Sequence, residues 1–162
     1  TGDPASMEVV ANSEASVVLM HMQGTPETMQ QAPEYSLASV DIFRWLSARV
    51  EACVAAGLPR GRIVVDPGIG FGKNDDHNME ILDRAGMFHA TGCAVAIGVS
   101  RKSFIGRIAE IADPKDRLPG TIAATLMALE RGVQIHRVHD VAAVRQAIAV
   151  WAASAAEFPE DP

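Results

Sequence analysis

The 162-residue sequence predicts an α/β protein built on a parallel sheet. Four short runs, at residues 17–22, 63–65, 94–99 and 133–138, are rich in Val, Ile or Ala. They are apolar on both faces, as buried parallel strands are. A stretch with helical spacing follows each of them. Strict alternation of strand and helix is typical of parallel strands joined by crossover helices.

Helices are predicted where apolar residues recur at helical spacing. They are expected up to about residue 12, at 37–56, around 79–85, near 104–111, at 121–131, and after Asp140. Gly57 and Pro59 end the second helix, and Asp140 is a suitable N-cap for the last one. The last helix carries Val141, Val144 and Trp151 on one face.

Two architectures fit this order of elements: an open doubly wound sheet and part of a (β/α)8 TIM barrel. The first strand-to-helix turn carries no dinucleotide-binding fingerprint. Polar residues follow all four strands, as they do around a barrel mouth. A complete barrel needs roughly 200 residues or more. Four strands, in about four βα units, would give half of such a barrel.

The composition limits the function classes. The net charge is −6, and acidic and basic residues are mixed along the chain, which argues against a nucleic-acid surface. No apolar run reaches membrane-spanning length, and the first residues given do not show a signal-peptide pattern. Cys53 and Cys93 lie among apolar residues without CxxC spacing, which predicts buried thiols in a reducing compartment, the cytoplasm. The chain starts without Met, so we expect a piece of something longer.

The segment with the strongest signal is DPGIGFGK, at residues 66–73. A carboxylate, Asp66, ends an apolar strand and leads into a loop with three glycines, which lets backbone approach a flat ligand closely. A P-loop would need Gly in place of Pro67 and Ser or Thr in place of Asn74. A structural turn with a solvated Asp66 is the alternative interpretation.

Two further segments indicate an anion site. Arg101 and Lys102, flanked by hydroxyl residues, stand at the start of a predicted helix, where anions bind. Arg137 and His139 are two residues apart, so in a strand both point the same way and suit a phosphate or pyrophosphate. His136 points the other way, and we expect it to be a packing residue.

A fourth segment, residues 19–26, leaves a metal site as a minor alternative. His21, Asp66, His139 and Asp140 could converge at a barrel mouth. No two histidines have HxH or HExxH spacing, and a histidine at a strand end is often satisfied by hydrogen bonds. His77 and His89 give no signal.

Together these segments resemble the dihydropteroate synthase family. LMHMQGTPETMQ, DPGIGFGK, GVSRKSFIG and RVHDV appear in the family's order and roughly its spacing, from about residue 2 to residue 155. The resemblance implies a single (β/α)8 barrel of which residues 1–162 form the C-terminal half, strands five to eight. Pterin-dependent methyltransferases belong to the same superfamily, and the SRKS and RVH segments favour the synthase.

The resemblance also implies roles for individual residues. In the pterin pocket, Asp66 is similar to the carboxylate that binds the amino-pyrimidine edge, and Lys102 to the lysine that reaches the pterin oxygen and ring nitrogen. Met20 would lie against the flat ring, and Gly70 would allow its close approach. The other implied contacts are Phe71 and Ser100 with p-aminobenzoate, and Arg137, His139 and, at the rim, Arg101 with pyrophosphate.

The implied reaction condenses 6-hydroxymethyl-7,8-dihydropterin pyrophosphate with p-aminobenzoate and releases pyrophosphate. The resemblance further implies a homodimer, inhibition by sulfonamides, and a Mg²⁺ whose ligand lies in the N-terminal half. Because loops of that half complete both substrate sites, we expect residues 1–162 alone to be inactive. The alternatives are a pterin-dependent methyltransferase and a non-catalytic half-barrel that dimerises.

Overall fold

A computed structural model describes residues 5–155 of the chain. Its four parallel strands lie side by side in sequence order. They are β1 Val17–Met20, β2 Ile63–Asp66, β3 Ala94–Ile97 and β4 Ile135–His136. The helices are α1 Ser6–Ala11, α2 Ala38–Ala55, α3 Asp75–Asp83, α4 Ser103–Ile108, α5 Leu118–Glu130 and α6 Val141–Ala155. Short 3₁₀ helices lie at Arg60–Arg62, Ala85–Thr91 and Pro114–Arg117.

The predicted alternation of strands and helices on a parallel sheet is confirmed. The helix predicted up to residue 12 is α1, although residues 1–4 lie outside the described part of the chain. Helices α4 and α5 begin before their predicted starts, and α3 is followed by a separate 3₁₀ helix. These differences are confined to element ends, where local sequence signals are weakest.

The fourth strand is much shorter than predicted, because the chain bends at both of its ends. Val133, the first residue of the predicted strand, donates its N–H to the carbonyl of Ala128 and so belongs to the turn that ends α5. Arg137 still donates to the carbonyl of Ile97, but the N–H of His139 turns to the Ser100 hydroxyl. The expectation that Arg137 and His139 extend one regular strand is therefore wrong.

The core lies between one face of the sheet and the helices. Ile63 and Val65 of β2 and Val95 and Ile97 of β3 are buried on this face. Buried residues of other elements pack with them in one cluster, among them Ile42, Leu46 and Val50 of α2 and Phe88. Cys53 and Cys93 belong to the same cluster as free, buried thiols, as predicted.

The opposite face of the sheet is exposed at both outer strands. In β1, Val18 is 57% and Met20 37% exposed, and in β4 Ile135 is 43% exposed. The register pairs Val18 with Val64, so alternate apolar residues of neighbouring strands share this face. Within the described residues, no helix is both long and apolar enough to cross a bilayer.

Candidate functional site

The carboxyl ends of all four strands meet at one edge of the sheet, because the strands are parallel. Met20 and Asp66 are paired neighbours at the ends of β1 and β2, so their side chains share the open face. The segment after β3 carries Ser100 and Lys102, and the segment after β4 carries Arg137. The fold therefore gathers the predicted site residues at this edge.

The loop at residues 66–73 folds back tightly on the chain that follows β1. Asp66 Oδ1 accepts a hydrogen bond of 2.7 Å from the N–H of Gly68. Gly68 has a φ of +70°, and a Cβ there would lie 1.9 Å from the carbonyl oxygen of His21. Only glycine fits this position, because a side chain would be strained in φ and would overlap backbone. The loop geometry thus fixes where the Asp66 carboxylate points.

Lys102 covers this loop from the side of the third strand. Its Nζ donates to the carbonyl of Ile69 and lies 4.5 Å from the centre of the Phe71 ring. A Cβ on Gly70 would approach Cδ of Lys102 to 3.1 Å. Gly70 and Phe71, to which the resemblance gives contacts with the pterin ring and with p-aminobenzoate, therefore both lie next to Lys102.

Charge and burial oppose each other at Asp66 and Lys102. Burial raises the pKa of the Asp66 carboxyl, while the N–H of Gly68 and the charges of Lys102, Lys73 and Arg137 lower it. Burial also lowers the pKa of Lys102 to about 8, against the raising effect of Asp66. Each group lowers the free-energy cost of burying the charged form of the other. Such a pair suits the binding of a polar ligand.

Beside this pair lies a cavity of about 290 Å³, lined by Gly98, Ser100, Lys102, Arg137, Val138 and His139. The imidazole Nδ1 of His139 lies 2.8 Å from the Ser100 hydroxyl, which also accepts the His139 backbone N–H at 3.1 Å. The guanidinium of Arg137 has no hydrogen-bond or ion-pair partner among residues 5–155. A cavity with an unengaged guanidinium, an ammonium and an imidazole suits an anion.

Arg101 does not line this cavity. Its guanidinium forms two hydrogen bonds to Asp140, at 2.6 and 3.0 Å, and its backbone has a φ of +58°. Its N–H donates to Thr121, and its carbonyl accepts from Arg117. Arg101 therefore links the segment after β3 to the start of α6. The expectation had been different, namely that Arg101 lies at the rim of the anion site.

No three histidine, cysteine or carboxylate residues of the described chain form a group that could hold a metal ion. His21 contacts Lys73, His139 contacts Ser100, and Asp140 binds Arg101. The metal alternative built on these residues and Asp66 therefore has no support within residues 5–155.

The remaining histidines have structural partners. His136 is half-buried, with Nε2 2.9 Å from the carbonyl of Val133, which agrees with the predicted packing role. His77 completes a capping box with Asn74 at the start of α3. His89 lies near Gln134, with 3.5 Å between Nδ1 of His89 and Nε2 of Gln134.

Sequence reasoning missed the side chains that hold the loop at residues 66–73. Asn78 accepts the N–H of Gly70 at 2.7 Å, and the Tyr35 hydroxyl donates to the carbonyl of Gly72 at 2.7 Å. Lys73 is buried beneath the loop and donates to the carbonyl of Phe71. The presence of Lys73 within the glycine-rich segment was a signal for it, but nothing in the local pattern marks Asn78 or Tyr35.

Comparison with known proteins places this geometry in a family. The model of the family described as pterin binding enzyme matches residues 1–139. The chain is 38% identical over 148 residues to the dihydropteroate synthase of Escherichia coli strain K12, covering 91% of this chain and 52% of the relative. It is 43% identical over 155 residues to that of Neisseria meningitidis serogroup B, covering 93% and 54%.

Solved structures of the same enzyme resemble the fold. Dihydropteroate synthase from Xanthomonas albilineans in complex with 7,8-dihydropteroate has a TM-score of 0.89 at 36% identity, covering 96% of this chain and 58% of that one. The Yersinia pestis enzyme with a sulfonamide drug has a TM-score of 0.90 at 37% identity, covering 94% and 56%. This chain spans about half the length of these relatives. The chain belongs to the pterin-binding enzyme family.

Proposed function

We propose that this chain forms the C-terminal half of a dihydropteroate synthase, strands five to eight of a (β/α)8 barrel. The observation that carries the proposal is the arrangement of Asp66, Lys102 and the Arg137–His139 cavity along one edge of the sheet. The barrel is supported by the sequential parallel strands and by the apolar face exposed at β1 and β4. Such a face is the side on which a closed barrel packs its interior.

The pterin occupies the pocket between Asp66 and Lys102. The carboxylate accepts hydrogen bonds from the amino-pyrimidine edge, and the ammonium of Lys102 donates to the pterin oxygen and ring nitrogen. Met20, 37% exposed and paired with Asp66, offers a flat apolar contact to the ring. Gly70 lets Lys102 lie close to the loop, because a Cβ there would approach Cδ of Lys102 to 3.1 Å.

The pyrophosphate occupies the adjacent cavity. Arg137 supplies an unengaged guanidinium that binds phosphate oxygens in a bidentate fashion. His139 is held by the Ser100 hydroxyl through Nδ1, which leaves Nε2 as the atom able to donate to the leaving group. Arg101, paired with Asp140, orients this segment and reaches the rim only if that pair opens.

The p-aminobenzoate ring contacts Phe71, and its carboxylate contacts Ser100. The Ser100 oxygen accepts the backbone N–H of His139 and lies 2.8 Å from its Nδ1. In the imidazolium form of His139, which has a hydrogen on each ring nitrogen, Nδ1 donates to Ser100, Nε2 donates to pyrophosphate, and the Ser100 hydroxyl is free to donate to that carboxylate. Phe71 is half-buried beside Lys102, so one part of its ring remains free for stacking. The Yersinia pestis relative was solved with a sulfonamide drug, and we expect sulfonamides to compete for the same place here.

The reaction breaks the bond between the pterin methylene carbon and the pyrophosphate oxygen. Pyrophosphate leaves with the electron pair, and Arg137 and His139 stabilise the negative charge where it grows. The Asp66 carboxylate favours the positive charge left on the pterin. The aniline nitrogen of p-aminobenzoate then forms the new C–N bond and loses a proton, giving 7,8-dihydropteroate.

Three further features of the proposal concern the whole protein. We propose that Mg²⁺ would add charge stabilisation at the pyrophosphate, with its protein ligand in the N-terminal half of the barrel. We propose a homodimer, and a place in the cytoplasm, since both described cysteines are free thiols as in a reducing compartment.

A turnover assay tests the proposal. The protein encoded by the complete reading frame should form 7,8-dihydropteroate and pyrophosphate from the dihydropterin pyrophosphate and p-aminobenzoate. Binding of the pterin without turnover would favour the non-catalytic half-barrel. A requirement for a corrinoid methyl acceptor would replace the synthase by the methyltransferase.

A further inference from the structure

Lys73 is among the largest fully buried side chains of the described residues, with 1% exposure. It forms no salt bridge within residues 5–155. Taking an ammonium group out of water without a paired carboxylate is costly, so such groups are retained where they serve a purpose. The proposed reaction does not use this lysine.

The side chain of Lys73 lies beneath the loop that carries Asp66. Its Nζ donates to the carbonyl of Phe71 at 2.8 Å and lies 3.1 Å from Nδ1 of His21. A Cβ on Gly68 would lie 3.5 Å from the same Nζ, and the Tyr35 ring centre is 6.0 Å away. Lys73 therefore joins the loop after β2 to the residue that follows β1.

The two titratable side chains next to Lys73 below the loop, His21 and Tyr35, are both neutral. Burial, together with the charge of Lys73, lowers the pKa of His21 to about 4, so this imidazole is neutral. Burial raises the pKa of the Tyr35 hydroxyl to about 12, so it is neutral as well. Asp66 and Lys102 are the charged groups that interact with Lys73 from the ligand side.

Lys73 differs from the other two cations that act on Asp66. Lys102 and Arg137 line the cavity, so a bound ligand engages both of them. Lys73 is 1% exposed and does not line this cavity, so a ligand bound there would leave its interaction with Asp66 in place. Of the three cations that act on Asp66, Lys73 is thus the one that does not contact a ligand in this cavity.

We infer that Lys73 is a positioning residue of the pterin pocket, which holds the loop at residues 66–73 from beneath and keeps Asp66 ionised during ligand binding. This inference rests on the proposed function. Burial lowers the pKa of Lys73 to about 7, so its charge is present below neutral pH and declines above it. The support given to Asp66 is therefore strongest on the acidic side.

The test is the pH dependence of pterin binding in the protein encoded by the complete reading frame. Calorimetry with the dihydropterin pyrophosphate compares the parent with Lys73→Met, Lys73→Gln and a control, Arg131→Met, which removes a charge from an exposed pair with Asp83. Lys73→Gln retains a donor for the carbonyl of Phe71 but lacks the charge. We expect both Lys73 variants to bind about tenfold more weakly than the parent at about pH 6, or about 1.4 kcal/mol, because the loop and Asp66 then lack the charge beneath them.

At about pH 8 the difference from the parent should shrink, because the parent's own Lys73 is then largely neutral. A loss that is the same at both pH values would reduce Lys73 to a structural residue and overturn the inference, as would parent-like binding. Variants that do not fold would likewise assign Lys73 to folding alone. If Asp66→Asn loses binding while the Lys73 variants do not, the proposed function survives without the inference. If the parent binds no pterin, both the proposed function and the inference about Lys73 are wrong.

Discussion

Replacing Gly68 by Ala should destabilise the protein through two separable effects. The φ of +70° places the residue in the left-handed region, which costs an L side chain roughly 1–2 kcal/mol. The added Cβ would lie 1.9 Å from the His21 carbonyl oxygen, so backbone must shift, and forced overpacking typically costs about 1–3 kcal/mol. Reduced freedom of the unfolded chain returns about 0.4–1 kcal/mol. We expect a net loss of about 2–4 kcal/mol.

Two other glycines separate these effects. Gly57 has a φ of +92° with nothing within 4 Å of its added Cβ, so Gly57→Ala should show only the cost of φ, about 1 kcal/mol. Gly61 has no left-handed φ and no neighbour within 4 Å, so Gly61→Ala should leave stability unchanged or raise it by up to about 1 kcal/mol.

The assay is urea unfolding of the three variants and the parent, in the protein encoded by the complete reading frame, together with calorimetry of pterin binding. Gly68→Ala should be less stable than Gly57→Ala by about 1–3 kcal/mol and should bind pterin more weakly, because the shifted loop moves Asp66. Equal stability of these two variants would refute the close packing of the loop on His21.

Three further outcomes are expected. Arg137→Met should weaken pyrophosphate binding at least about tenfold, whereas Arg131→Met should not, and calorimetry showing equal affinities would move the anion site elsewhere. Folding lowers the pKa of Lys73 from 10.5 to about 7, so between these pH values the folded state binds fewer protons than the unfolded state. The free energy of unfolding of the parent, relative to that of Lys73→Met, should therefore rise between about pH 7 and pH 10, as measured by urea unfolding. A flat difference would mean that Lys73 is not buried as described. Residues 1–162 alone should self-associate or unfold with poor cooperativity, because Val18 and Ile135 are exposed on the outer strands, and they should be inactive. Light scattering that shows a monomer, together with cooperative unfolding and turnover, would contradict this expectation.

Sequence alone predicted the gathering of Asp66, Lys102 and the Arg137 segment, because each follows a parallel strand and the carboxyl ends of such strands meet. It could not predict that Arg101 turns away to Asp140, since that pair joins residues 39 positions apart. Nor could it show the inward turn of Lys73, because loop residues have no periodicity from which burial can be inferred.

The shortness of β4 was also hidden from the sequence. The apolar run at residues 133–138 suits a strand, but Val133 is used by the turn that ends α5 and His139 by Ser100. At both ends of β4, hydrogen bonds to other parts of the fold outweigh the strand propensity of the local sequence. Lys102, Arg137 and His139 of the predicted anion site still line one cavity, because the bend after Arg137 directs His139 toward Ser100.

The central claim is that Asp66 recognises a pterin at this edge of the sheet. The most direct measurement is calorimetry of dihydropterin pyrophosphate binding to the protein of the complete reading frame and to its Asp66→Asn variant. An amide in place of the carboxylate leaves donors of the pterin edge poorly paired, which costs roughly 1–3 kcal/mol. We predict that the parent binds and that Asp66→Asn loses at least about tenfold in affinity, or about 1.4 kcal/mol. Unchanged binding in Asp66→Asn, or no binding by the parent, would contradict the claim.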